Sequence, residues 1–239
     1  MNTTDWFDRP PERRGTDSIK WARYQGRDVL PMWVADMDFA APPPVLAALR
    51  QRIEHGVFGY TRVPGETVDA VCKALRRRHG WDVEPRWLVW LPGVVPVLHL
   101  MCRIFARPGE AVLTFTPIYP PFLSAPEHEG RRIVRIPLAL EAGKYGMDRE
   151  AAEAAVAGGG RLLLFCNPQN PTGRVYRQEE LEAVLDFAER HDLLVCSDEI
   201  HCGLVLEEGS RHVPFAALGE RAARRTVVLM SPSKTYNLP

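Results

Sequence analysis

Three runs, Arg161-Leu-Leu-Leu-Phe-Cys166, Leu193-Leu-Val-Cys-Ser197 and Thr226-Val-Val-Leu-Met230, are apolar without alternation. A strand with one wet face alternates apolar and polar side chains; a run with no polar face is buried on both sides. Between the first two runs, Glu179–His191 presents Leu181, Val184, Leu185 and Ala188 on one helical face. Strand, helix and strand in succession predict an α/β domain with a mainly parallel sheet.

The rest of the chain is read around that sheet. Residues 1–40 are polar, interrupted by proline, and form an N-terminal segment; residues 41–239 form the large domain. Pro42-Pro-Pro44 opens a helix, because proline suits a first turn, and Val45, Leu46, Leu49 and Ile53 mark its expected buried face. A second helix is expected over residues 66–79, with Val68, Val71, Cys72 and Leu75 on one side. Trp87-Leu-Val-Trp-Leu91 reads as a short strand, broken by Pro92-Gly93, with an apolar helix following to about Phe105. Ala111–Phe115 and Arg132–Ile136 read as further strands. No repeat or low-complexity tract interrupts them.

Composition excludes several classes of partner. The formal net charge is +0, which gives no electrostatic case for nucleic acid or a membrane surface. No apolar stretch reaches the length of a membrane span, and Met1–Pro10 has no apolar core of the signal-peptide kind. The five cysteines form no C-x-x-C pair and read as buried free thiols. These features together predict a cytoplasmic protein.

In parallel sheets the ligand site lies at the carboxyl ends of the strands. Gly93, Asn167, Asp198 and Ser231 all follow predicted strands. Asn167-Pro-Gln-Asn-Pro-Thr-Gly173 offers the Asn170 amide, Ser197-Asp-Glu-Ile-His201 offers Asp198, and Ser231-Pro-Ser-Lys234 offers an amine. An amide, an acid and an amine are what holding and using pyridoxal phosphate requires. Lys234 can bond an aldehyde if its amine is desolvated. Ser231 and Ser233 can donate to a phosphate, and Asp198 can pair with a protonated pyridine nitrogen. Gly93-Val94-Val95 opens a helix whose first N–H groups suit an anion. Tyr119 can stack on a ring.

Each of these residues also has an ordinary alternative: a solvated lysine, a capping carboxylate, a tight turn or a packing tyrosine. Ser231-Pro-Ser-Lys234 also matches the S-x-x-K of penicillin-binding proteins, but no S-D-N or K-T-G partner follows it. His191, His201 and Cys202 do not have the spacing of a metal site, so no metal is expected.

The motifs resemble those of the fold-type I pyridoxal-phosphate enzymes, the class I/II aminotransferase superfamily, whose large domain is a three-layer α/β/α sandwich. Pro31-Met-Trp-Val-Ala-Asp-Met-Asp-Phe39, His55-Gly-Val-Phe-Gly-Tyr-Thr61, Pro92-Gly-Val-Val-Pro96 and Ser197-Asp-Glu-Ile-His201 resemble the MalY/PatB group of cystathionine β-lyases. The resemblance implies that Lys234 and Tyr119 are the catalytic candidates, Lys234 as the Schiff-base lysine and α-proton base. It implies cofactor contacts from Gly93, Val94, Val95, Tyr119, Asn170, Asp198, His201, Ser231 and Ser233. Tyr60 would reach a neighbouring subunit's site in a homodimer. His201 stands where aminotransferases carry a tyrosine, which leans toward the lyases.

The reaction implied is α,β-elimination from cystathionine or a cysteine-type thioether, giving thiol, pyruvate and ammonia. An aminotransferase is the alternative. Family members continue well past the lysine, whereas here five residues follow Lys234. The expectation is therefore an incomplete large domain without the C-terminal small domain, and a truncated chain that binds at most the cofactor is the second alternative.

Overall fold

The computed structural model describes residues 7–239; the first six residues of the N-terminal segment lie outside it. The described residues form two compact units. One holds the residues up to Arg62 together with Pro232–Pro239, and the other is Val63–Ser231. The boundary expected at residue 40 falls inside the first unit.

The first unit contains helices α1 (Ile19–Ala22), α2 (Pro43–His55) and α9 (Pro232–Thr235). Prolines open α2 as expected, and Gly56 closes it at φ 73°, a conformation that costs glycine nothing. The expected buried face of α2 is a correction: no residue of the helix is buried, and Leu49 and Ile53 are 54% and 66% exposed. The apolar spacing is helical, and Val45 and Leu46 at its start are partly buried.

The second unit contains α3 (Gly65–His79), α4 (Val94–Phe105), α5 (Pro121–His128), α6 (Arg149–Val156), α7 (Gln178–Arg190) and α8 (Glu220–Ala223). Its strands are β1 (Ala111–Thr116), β2 (Arg132–Glu141), β3 (Lys144–Met147), β4 (Leu162–Cys166), β5 (Leu194–Asp198) and β6 (Thr226–Leu229). They form one sheet in the order β3-β2-β1-β4-β5-β6, parallel except for the β2–β3 hairpin.

The sheet separates two apolar clusters, as side chains alternate across a strand. Leu113, Phe115, Leu163, Phe165 and Val195 face Leu181, Val184, Leu185 and Ala188 of α7 on one side. Val112, Leu162, Leu164 and Cys196 face Val97, Leu98 and Met101 of α4 on the other. The result is the three-layer α/β/α sandwich. Each fully buried leucine or phenylalanine contributes about 1.5–3 kcal/mol. All five cysteines are free, and burial raises the Cys102 thiol to about 11.

Two elements differ from expectation. Residues 87–91 form no strand: Pro85–Trp87 is a 3-10 turn, and Val89, Trp90 and Leu91 are 78%, 47% and 45% exposed. A strand needs a pairing partner, and none of the six takes this segment. Conversely, β3 is an addition. It returns through Ala142 (φ 47°) and Gly143 (φ 76°), the two positive values that a tight hairpin loop requires. Among the described residues, no helix is long and apolar enough to cross a membrane.

Candidate active site

The carboxyl ends of β1, β4, β5 and β6 lie side by side, because these strands are adjacent and parallel. Cys166 is in register with Asp198, and Asp198 with Leu229. Backbone bonds extend the alignment past the strand ends. Asn167 N donates to Asp198 O at 3.0 Å, and Glu199 N donates to Leu229 O at 2.8 Å. The chain segments leaving β4, β5 and β6 therefore start from one edge.

Asp198 is the last residue of β5 and is 5% exposed. Its Oδ1 accepts from Ile200 N at 3.1 Å. Burial pushes the carboxyl up to about 7; the Ile200 N–H opposes the rise and the charge of Glu199 adds to it. A carboxylate in this position is costly alone and is stabilised by a cationic partner.

The loops bearing Tyr119 and Asn170 are tied together by Gln169, which is 3% exposed. Its Nε2 donates to Pro117 O, and its Oε1 accepts from Thr172 N at 2.9 Å. Tyr119 follows β1 and is 40% exposed; Asn170 follows β4 and is partly buried. His201 lies in the turn after β5, where its carbonyl accepts from Leu204 N at 2.8 Å. Ser231 follows β6 by two residues.

Gly93 precedes α4 at φ 112°, a conformation other residues rarely adopt. The expectation that it follows a strand is corrected, since residues 88–92 have no regular structure. Its place at the helix start holds. No side chain caps the helix, and no acid stands in its first turn. Pro96 has no N–H, so Val94 and Val95 supply the first donors of the helix. Val94 is buried and Val95 is 36% exposed.

Tyr60, Ser233 and Lys234 belong to the first unit. Tyr60 is fully exposed at 111%. Ser233 and Lys234 stand in α9, where Lys234 Nζ donates to Ala35 O at 2.9 Å.

Two residues at these strand ends carry no role in the sequence reading. Asn167 is fully buried; its Oδ1 accepts from Tyr176 N at 3.1 Å, and its Nδ2 has no partner among the described residues. Its place at the head of the Asn-Pro motif was the available signal. Glu199 is fully buried and accepts from Ser197 Oγ (2.8 Å) and Phe215 N (2.8 Å), with His212 Nε2 at 2.7 Å. Its partners at 212 and 215 lie in a loop that no local pattern connects to β5. Among the described residues, no group of three or more His, Cys, Asp or Glu could hold a metal.

Comparison with known proteins finds relatives of the same fold. Residues 27–239 match the family described as Aminotransferase class I and II. Cystathionine beta-lyase PatB of Bacillus subtilis (strain 168) is 41% identical over 237 residues, covering 97% of this chain and 61% of PatB. The crystal structure of OvoB shares the fold at TM-score 0.93 and 48% identity, over 97% of this chain and 61% of that one. The PLP-bound C-S lyase from Staphylococcus hominis does so at TM-score 0.88 and 33% identity, over 97% and 60%. The chain thus spans about 60% of the length of these proteins. With the match running from residue 27 to residue 239, the chain belongs to the class I and II aminotransferase family.

Proposed function

We propose that this protein is a pyridoxal-phosphate-dependent carbon–sulfur β-lyase of the cystathionine β-lyase type. It would release thiol, pyruvate and ammonia from cystathionine or a cysteine-type thioether. The observation that carries the reading is the buried Asp198 carboxyl at the end of β5, in a chain 41% identical to a cystathionine β-lyase.

The residues present fit the cofactor. Among the described residues, Asp198 has no cationic partner in its buried setting, the buried Asn167 amide has an unused donor, and the α4 N-terminus has no side-chain cap and no acid in its first turn. Asp198 would pair with the ring nitrogen, and Asn170 and Tyr119 would contact the ring. Gly93, Val94, Val95, Ser231 and Ser233 would hold the phosphate. His201 would stand near the phenolic oxygen. When bound, the cofactor supplies the electron sink that acidifies a substrate α-proton. Lys234 would anchor it covalently and, when released, take that proton as a base.

The exposed Tyr60 supports a further part of the proposal, that the enzyme works as a homodimer with Tyr60 reaching the neighbouring site. The free thiols are consistent with a reducing, cytoplasmic setting.

The test is incubation with cystathionine and pyridoxal phosphate in the absence of any keto acid. Pyruvate and thiol in equal amounts support the lyase. Amino-group transfer that appears only when a keto acid is added indicates an aminotransferase instead.

A further inference from the structure

The carbonyls of Ala35, Asp36 and Met37 are taken by side chains rather than by a neighbouring strand. Lys234 Nζ donates to Ala35 O at 2.9 Å. Lys20 Nζ donates to Asp36 O at 2.8 Å. Met37 O accepts from both Asn237 Nδ2 and Arg13 Nη1 at 3.0 Å. Asn237 also accepts from Met37 N, through Oδ1 at 3.1 Å, so one amide side chain closes both polar groups of a residue 200 positions away.

The surrounding charges are balanced. Arg13 bridges Asp36 (2.8 Å) and Asp38 (2.8 Å), Lys20 pairs with Asp38 at 2.6 Å, and Trp21 Nε1 donates to Asp38 at 2.9 Å. Two cations therefore face two carboxylates. The Lys234 amine is seated on the Ala35 carbonyl, two residues before Met37, whose N–H and carbonyl Asn237 both engages.

Residue 237 is specialised for that task. Its φ is 53°, in the left-handed region where asparagine is one of the few tolerated side chains. A side-chain amide offers an acceptor and a donor on two separate atoms, spaced to meet both polar groups of one residue. Aspartate keeps the acceptor and loses the donor, and glycine keeps the backbone conformation and loses both.

We propose that Asn237 is a positioning residue for the Lys234 amine: by clamping both backbone groups of Met37 it holds the Ala35 carbonyl as the seat of that amine. The assignment of Lys234 as the cofactor lysine rests on the function proposed above. The clamp itself does not, and its test needs no cofactor.

The experiment is acetylation of the cofactor-free chain with a limiting acylating reagent, followed by peptide mapping. The chain has four lysines, and Lys73 and Lys144, which among the described residues make no contact with this segment, serve as internal references. Asn237→Gly should speed labelling of Lys234 by about fivefold, the size of one lost hydrogen bond, and leave Lys73 and Lys144 unchanged. Exchange of the Met37 amide hydrogen should rise in the same variant. Faster Met37 exchange with unchanged Lys234 labelling would overturn the proposal, reducing Asn237 to a structural tie, and no change in either would overturn it outright. If Asn237→Gly loses its helical circular dichroism, Asn237→Asp carries the same readouts and the same two outcomes.

Discussion

His212 Nε2 lies 2.7 Å from Glu199 Oε2, with side-chain exposures of 1% and 0%. The same carboxyl group accepts from Ser197 Oγ and from Phe215 N. One side chain thus joins β5 to the loop at residues 212–215, directly beside Asp198. Glu199→Ala strips three buried donors of their acceptor and should cost about 3–5 kcal/mol in urea unfolding. A cost below about 1 kcal/mol would show that the loop is held by other contacts.

Asp198 makes the cofactor-free chain sensitive to pH. The unfolded carboxyl titrates near 3.8 and the folded one near about 7. Its contribution to stability is fully present below the first value and is lost as pH rises through the second. Relative to Asp198→Asn, the wild-type chain should lose at most about 4 kcal/mol over that interval. Parallel unfolding curves of the two proteins at pH 4, 5, 6 and 7 measure the difference. A difference that does not change with pH would contradict the burial of an unpaired acid.

Gly160 sits at φ 144°, and a Cβ there would lie 2.5 Å from Leu113 Cδ1 and 3.0 Å from Ala111 O. Leu113 is fully buried in the central sheet, so it has little room to give. Gly160→Ala combines backbone strain with overpacking and should cost about 2–4 kcal/mol. Thermal or urea unfolding checks it, and Gly159→Ala, with open space around it and a positive φ, isolates the strain alone.

How much of this was legible in sequence depended on whether the signal was local. β4 and β5 were readable because a strand buried on both faces needs a continuous apolar run. β6 has the same composition, but the expectation that it is buried on both faces is corrected: it is the edge strand, and Thr226, Val227 and Val228 are only partly buried. The places of Asp198 and Asn170 after β5 and β4 followed from the apolar runs before them. Trp87–Leu91 has the composition of a strand, but pairing requires a free neighbour that composition does not reveal. α2 has the period of an amphipathic helix, yet Leu49 and Ile53 stay exposed, because a period marks which face is apolar and not what packs against it. The Ala142-Gly143 turn was a local hairpin signal that passed unread. Asn237 meets Met37 across 200 residues and Glu199 meets His212 across 13, through irregular chain, and neither pair leaves a periodic trace.

The central claim is that Lys234 anchors pyridoxal phosphate in a site that uses Asp198. The most direct measurement adds the cofactor to the purified chain, records the visible absorption, fixes the bond with borohydride and maps the labelled peptide. The account predicts a visible band and a single label on Lys234, with the band lost in Lys234→Ala and weakened in Asp198→Ala. No band, or label spread over Lys20, Lys73 and Lys144, would contradict it.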